Sequence, residues 1–148
     1  MSRFLNIVEC AIEYKNKFLI IERPSSVHAG GLLAFPGGKV EFSDGRLDIL
    51  HQAVKREIFE EVGIKLMDPI FFITSSFFVD SNQDNVLDMI FYCRLEKSDP
   101  AVVPNPLEVP KHYWLSYEEV LQQKKAPNWL KQYIFQIITS PLRLNIFS

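Results

Sequence analysis

Cysteine is scarce in this chain. There are two, Cys10 and Cys93, each inside an apolar run that reads as a strand. Buried free thiols are the expected state, and they fit a reducing compartment. Long apolar runs are missing too: nothing approaches the ~20 residues needed to cross a bilayer. The N-terminal stretch MSRFLNIVEC has no apolar core of the kind a secretory leader needs. The expected location is therefore cytoplasmic, with no membrane partner. Basic blocks are absent and the net charge is −2, so duplex nucleic acid is not an expected partner. With no internal repeat, low-complexity tract or second unit in view, residues 1–148 read as a single domain.

What is present is a large apolar share, 47% of residues, and an unusual supply of phenylalanine, 12 in all, which predicts an aromatic-rich core. LNIVECAIEY and FLIIER read as two strands joined by the turn KNK. PSSVHAGGLLAFPGGKVEFSDGR follows as loop, short strand and loop. In ILHQAVKREIFEEV, Leu50, Val54, Ile58 and Val62 recur every four residues, supported by Ile49, Ala53 and Phe59. That spacing predicts an amphipathic helix, with Asp48 as N-cap and Gly63 as C-terminal stop. PIFFITSSFFV and VLDMIFYCRLE read as strands around the polar turn DSNQDN. Beyond the Pro-rich connector SDPAVVPNPLEVPK come a short strand at HYWLSY and two helical pieces, EEVLQQ and NWLKQYIFQIIT. Mixed strands around one central helix indicate an α+β sandwich.

The helix carries a feature it should resist. Glu57, Glu60 and Glu61 stand at spacing i, i+3, i+4, so like charges share one face near the C-terminal end, where the helix dipole disfavours anions. A solvated polar face is the plain explanation of scattered glutamates, yet this cluster is one-signed apart from Arg56. Divalent cations remove both objections, since hard carboxylate oxygens suit Mg²⁺ or Mn²⁺. Upstream, FPGGKVE has paired glycines that allow close backbone approach, with the positive Lys39 beside them.

Together these resemble the Nudix hydrolase signature, GX5EX7REUXEEXGU with U aliphatic. Arg56, Glu57, Ile58, Glu60, Glu61, Gly63 and Ile64 match every fixed position of its second half. The first half departs from it. Counting back from Arg56, the motif's glutamate falls on Asp48 and its glycine on Phe42, while Gly38 lies 18 positions before Arg56 against the motif's 14. A four-residue insertion within EFSDGRLD is inferred, which leaves the parts played by Glu41 and Asp48 open.

The resemblance implies a Nudix-type α/β/α sandwich, with a mixed sheet around the catalytic helix. It implies a divalent-metal-dependent hydrolase, with Mg²⁺ or Mn²⁺ as cofactor, that cleaves the pyrophosphate linkage of a small nucleoside diphosphate derivative. Glu57 and Glu61 would be the principal metal ligands, Glu60 would be shared between metals or hold one of their waters, and the Gly38 backbone could complete a coordination shell. Arg56 would orient the carboxylates through its planar fork. The general base is open between Glu61 and Glu108, the latter in NPLEVPKHYW. Arg23, at the end of the second strand, and Lys39 could reach substrate phosphates. Phe77, Phe78 or Trp114 could stack on a base or belong to the core.

A nucleoside triphosphate or a nucleotide-sugar is the expected substrate class. The alternative is a non-catalytic nucleotide-binding Nudix module with a regulatory role; retention of the three glutamates favours the enzyme. NWLKQYIFQIIT is aromatic enough that the chain could form a homodimer. Two other patterns are read as structural. DSNQDNVLDMIF starts like a calcium loop but has Asn85 and Phe91 where glycine and glutamate are required. His28, His51 and His112 share no metal-ligand spacing.

Overall fold

The computed structural model describes residues 3–96 and 101–146. Strands β1 (Leu5–Tyr14) and β2 (Lys17–Glu22) form a hairpin. Lys15 and Asn16, both at positive φ, make its tight turn, the geometry that matches right-handed strand twist. After two short strands, β3 (Leu33–Ala34) and β4 (Gly37–Lys39), a 3₁₀ turn at Phe42–Asp44 leads to helix α1 (Ile49–Val62). Then come β5 (Phe71–Val79), β6 (Asn85–Arg94), β7 (Lys111–Leu115) and helices α2 (Tyr117–Leu121), α3 (Asn128–Ile138) and α4 (Pro141–Ile146). Residues 97–100, which include the first three of the Pro-rich connector, lie outside the described residues.

The strands form one mixed sheet in the order β3-β2-β1-β6-β5, with β4 also on β1 and β7 on β2. Only β1 and β6 run parallel; the other pairs are antiparallel. Side chains alternate across a strand, and both central strands use the two faces. Val8, Cys10, Ile12, Met89, Phe91 and Cys93 pack under α1 with Val54, Ile58 and Val62. Ala11, Ile90 and Tyr92 pack under α3 with Leu130, Ile134 and Ile137. A sheet apolar on both faces must be covered on both, and this layering is the α/β/α sandwich expected. Both cysteines are free and buried, as the composition suggests.

Helix α1 spans the residues its periodicity predicts, and Gly63, at φ 72°, closes it with an N–H to the Phe59 carbonyl. Two expectations differ. Phe59 is 60% exposed rather than part of the apolar stripe, because it lies on the far flank of the Val54/Ile58/Val62 row. Asp48 occupies the N-cap position, but at φ 53° its side chain makes no cap hydrogen bond. The DSNQDN turn is the hairpin read from sequence: Asp80 Oδ1 accepts from the N–H groups of Asn82 and Asp84, both at 2.9 Å. His51 is structural as well, 3.0 Å from the Ile70 carbonyl and edge-on to Phe91. No helix among the described residues is long and apolar enough to cross a membrane.

Candidate metal and substrate site

Arg56 is the hub of the α1 cluster. Its Nη1 donates to Glu57 Oε1 at 2.8 Å and to Glu60 Oε2 at 3.1 Å. Its Nη2 donates to the Lys39 carbonyl at 2.8 Å. The rest of the fork is held by Asp44, with Nε to Oδ1 at 2.5 Å and Nη2 to Oδ2 at 2.9 Å. Asp44 also accepts from the Glu41 N–H at 2.8 Å. These contacts, the Arg56 hydrogen bonds foremost, hold Asp44 below the usual carboxylate range. The bidentate pair fixes Arg56, and Arg56 fixes two glutamates.

Asp44 is the residue that reading from Arg56 missed. Counted forward from Gly38, it falls where GX5E requires its acid, with aspartate for glutamate. The additional loop residues therefore follow Asp44, in the stretch 45–48, and the assignment of Asp48 to the motif's glutamate is corrected. Asp48 is exposed, whereas Asp44 is 8% exposed. The insertion lengthens an exposed loop without disturbing either end of the Asp44–Arg56 pair.

Glu61 is held differently. It is 7% exposed, and Oε1 accepts from the Gly37 N–H at 3.2 Å. Burial pushes its pKa up to about 8, the Glu108 and Glu57 charges add to the rise, and the Gly37 N–H and Arg23 oppose it. Glu57 is raised too, mainly by burial, against the pull of Arg56. Gly38 lets these groups sit against β4: a Cβ there would lie 2.1 Å from Glu57 Oε2, so a larger residue would push the carboxylate from its place.

Glu108 is exposed and belongs to a loop docked on the end of α1. Val103 N–H donates to the Val62 carbonyl at 2.8 Å and Asn105 N–H to the Glu61 carbonyl at 2.9 Å. Two of the helix's orphan carbonyls are satisfied in this way. Asn105 then turns the chain, its carbonyl accepting from the N–H groups of Glu108 and Val109. Glu108 is thereby close enough to bear on both Glu57 and Glu61. Arg23, whose Nε donates to the His28 carbonyl at 2.8 Å, bears on Glu61 from the other side.

The remaining candidates are dispersed. Lys39 reaches the cluster through its carbonyl, while its side chain is exposed. Phe77 is 59% exposed and edge-on to Phe4, on the sheet face opposite Ser76. Trp114 packs against the apolar cluster beneath α1, beside Tyr14. Phe78 stacks on His28 at 5.5 Å.

Among the described residues, no three Asp, Glu, His or Cys groups converge closely enough to hold a metal ion by themselves. The arrangement is open and made of hard carboxylate oxygens that outnumber the one guanidinium among them. That donor set fits Mg²⁺ or Mn²⁺, cations that keep part of their shell for water and substrate oxygens.

The chain is 31% identical over 128 residues to the CTP pyrophosphohydrolase of Escherichia coli K12, covering 84% of this chain and 85% of that protein. In fold it is similar to a MutT protein of Methanosarcina mazei Go1, with a TM-score of 0.76 at 21% identity over 93% of this chain and 94% of that one. It is likewise similar to a MutT Nudix hydrolase of Burkholderia pseudomallei, with a TM-score of 0.75 at 22% identity over 92% and 99%. The NUDIX domain family model matches residues 7–137, and the chain belongs to the Nudix hydrolase family.

Proposed function

We propose that this protein is a single-domain enzyme that hydrolyses the pyrophosphate linkage of a nucleoside triphosphate or related nucleoside diphosphate derivative. The observation that carries the reading is the excess of carboxylate on α1, held in place rather than neutralised. Glu57 and Glu60 hang from Arg56, Arg56 is anchored by Asp44, and Glu61 rests on the Gly37 N–H. Glu57, Glu61 and Glu60 would hold Mg²⁺ or Mn²⁺, with the Gly38 backbone beside them. The bound cation would supply charge neutralisation on the phosphoryl oxygens and a more acidic water.

In the reaction a water oxygen bonds to one phosphorus, the bond from that phosphorus to the bridging oxygen breaks, and one proton is released. Glu61 and Glu108 are the two candidates to accept that proton, and the Glu108 charge raises the affinity of Glu61 for it. Arg23 faces the same cluster and is suited to a substrate phosphate. A relative named CTP pyrophosphohydrolase supports the triphosphate class. The two buried free thiols support a reducing, cytoplasmic setting.

The test is hydrolysis of nucleoside triphosphates, nucleotide-sugars, dinucleotides and coenzyme A, each with Mg²⁺, with Mn²⁺ and with chelator, alongside Glu61→Gln. Metal-dependent turnover that falls by about 100-fold or more in the variant is expected. Nucleotide binding with no hydrolysis under any metal would replace the enzyme with a binding module.

A further inference from the structure

On the sheet face away from α1 a second group of acids makes no ion pair among the described residues. Glu9 of β1 and Asp88 of β6 project to the α3 side of the two parallel central strands, where Ile7 is the register partner of Asp88 and Ile90 that of Glu9. The Glu9 carboxyl lies within hydrogen-bonding reach of Asp88, and burial with the Asp88 charge raises its pKa well above the usual range. Asp88 is 3% exposed. Its Oδ2 accepts from the Tyr133 hydroxyl of α3 at 3.0 Å, and that hydroxyl also bonds Ser76 Oγ on β5. Asp88 Oδ1 receives no N–H or hydroxyl donor from the described residues.

Counting donors shows why this is unusual. A buried carboxylate oxygen without a donor is costly, and native folds avoid it. The same sheet shows the ordinary solution in Glu13, where Tyr92 and Arg143 supply donors to both oxygens. At Glu9 and Asp88 even a shared proton leaves more lone pairs than donors. Glu9 is partly exposed, so the pair is open to solvent on one side. Arg23 joins it to the α1 cluster, since its charge bears on both Glu9 and Glu61. At the same margin His28 stacks flat on Phe78, two residues beyond Ser76.

We propose that Glu9 and Asp88, with Tyr133 holding Asp88 in position, form the base-reading end of the substrate site and select bases that carry an exocyclic amino group. The assignment rests on the hydrolase reading for the position of the phosphates, which lie toward Glu61 and Arg23. The amino group of cytosine, adenine or guanine donates to the acid pair from its open Glu9 side, with Asp88 behind it. Uracil and thymine present a carbonyl oxygen at the position of cytosine's amino group, and that oxygen meets a carboxylate lone pair.

The test compares CTP, ATP and GTP with UTP and TTP, by kcat/KM with Mg²⁺ and by equilibrium binding with chelator present, for the wild type, Asp88→Asn and Glu9→Gln. The wild type should favour at least one amino-bearing nucleotide over UTP by about tenfold or more in both readouts. Asp88→Asn exchanges an acceptor for a donor and should bring the CTP to UTP ratio toward one, chiefly through KM. Glu9→Gln should lower the same ratio and covers the case in which the Asp88 variant melts early. Equal use of CTP, ATP, GTP and UTP by the wild type, or a uniform loss across all bases in both variants, overturns the assignment while metal-dependent turnover leaves the hydrolase standing. Absence of turnover with the binding preference intact removes the hydrolase reading and keeps the base-reading pair.

Discussion

Arg56 and Arg143 each hold carboxylates, and they do so to opposite ends. At one corner Arg143 of α4 meets Glu13 of β1, with Nε to Oε1 at 3.0 Å and Nη2 to Oε2 at 2.9 Å, and Tyr92 adds a third donor at 2.6 Å. Glu13 is 1% exposed and its charge is matched. On α1, Arg56 is shared among Asp44, Glu57 and Glu60, and Glu61 has only a backbone N–H. The first arrangement is complete within the chain and ties the C-terminal helix to the sheet. The second is short of positive charge, and that imbalance is what the proposed divalent-metal reading rests on.

Substitutions should separate the two. Arg56→Ala releases both glutamates, and a displacement of about 1 Å at a reacting centre costs about 100-fold in rate; kcat with saturating metal is the measurement. Arg143→Ala should instead lower stability by about 3 kcal/mol, the cost of leaving a buried carboxylate unpaired, with kcat unchanged well below the melting temperature. A fall in kcat comparable to that of Arg56→Ala would erase the distinction between the corners.

A finer comparison sets Asp44 against Asp48, four residues apart. Asp44→Asn removes charge-assisted hydrogen bonds to Arg56 and should cost about 2 kcal/mol along with a measurable loss of turnover. Asp48→Asn should change stability by less than about 0.5 kcal/mol, because that side chain makes no cap bond. Chemical denaturation of both variants reads the difference directly, and equal effects would restore Asp48 as the acid of the motif.

The same cluster also sets the pH dependence of stability without metal. Burial raises Glu61 from an ordinary 4.5 to about 8, and Glu57 shifts the same way. Between those values the folded state binds more protons than the unfolded chain, so stability falls as pH rises from about 5 to 8 and then levels. Asp44 acts in the opposite sense, its contribution being lost only as pH drops through its lowered pKa. With chelator present, melting temperature should therefore decline across pH 5 to 8, and Glu61→Gln should flatten the slope. An unchanged slope in the variant would mean that Glu61 titrates normally.

How much was readable beforehand follows from distance along the chain. Helix α1, its Gly63 stop, the hairpin at Lys15–Asn16 and the glutamate spacing are all set by residues within a few positions of one another, so periodicity and turn chemistry suffice. Asp44 was within reach as well, had the motif been counted from Gly38. The packing of Trp114 against the core and the exposure of Phe77 were not, since an aromatic in a strand reads alike whether it packs or stacks. Helix α4 carries no periodic signal at six residues, and its place depends on the Arg143–Glu13 pair.

By itself, then, the sequence determined the α+β class, the first hairpin and the carboxylate-bearing helix, because each is written in local patterning and turn chemistry. Only the tertiary structure decided which aspartate grips Arg56, how the loop of Glu108 docks on the carbonyls ending α1, and that Glu9 and Asp88 meet across parallel strands. Those contacts join residues whose spacing carries no period, and they form only when closing the sandwich offsets the entropy of the loops between them.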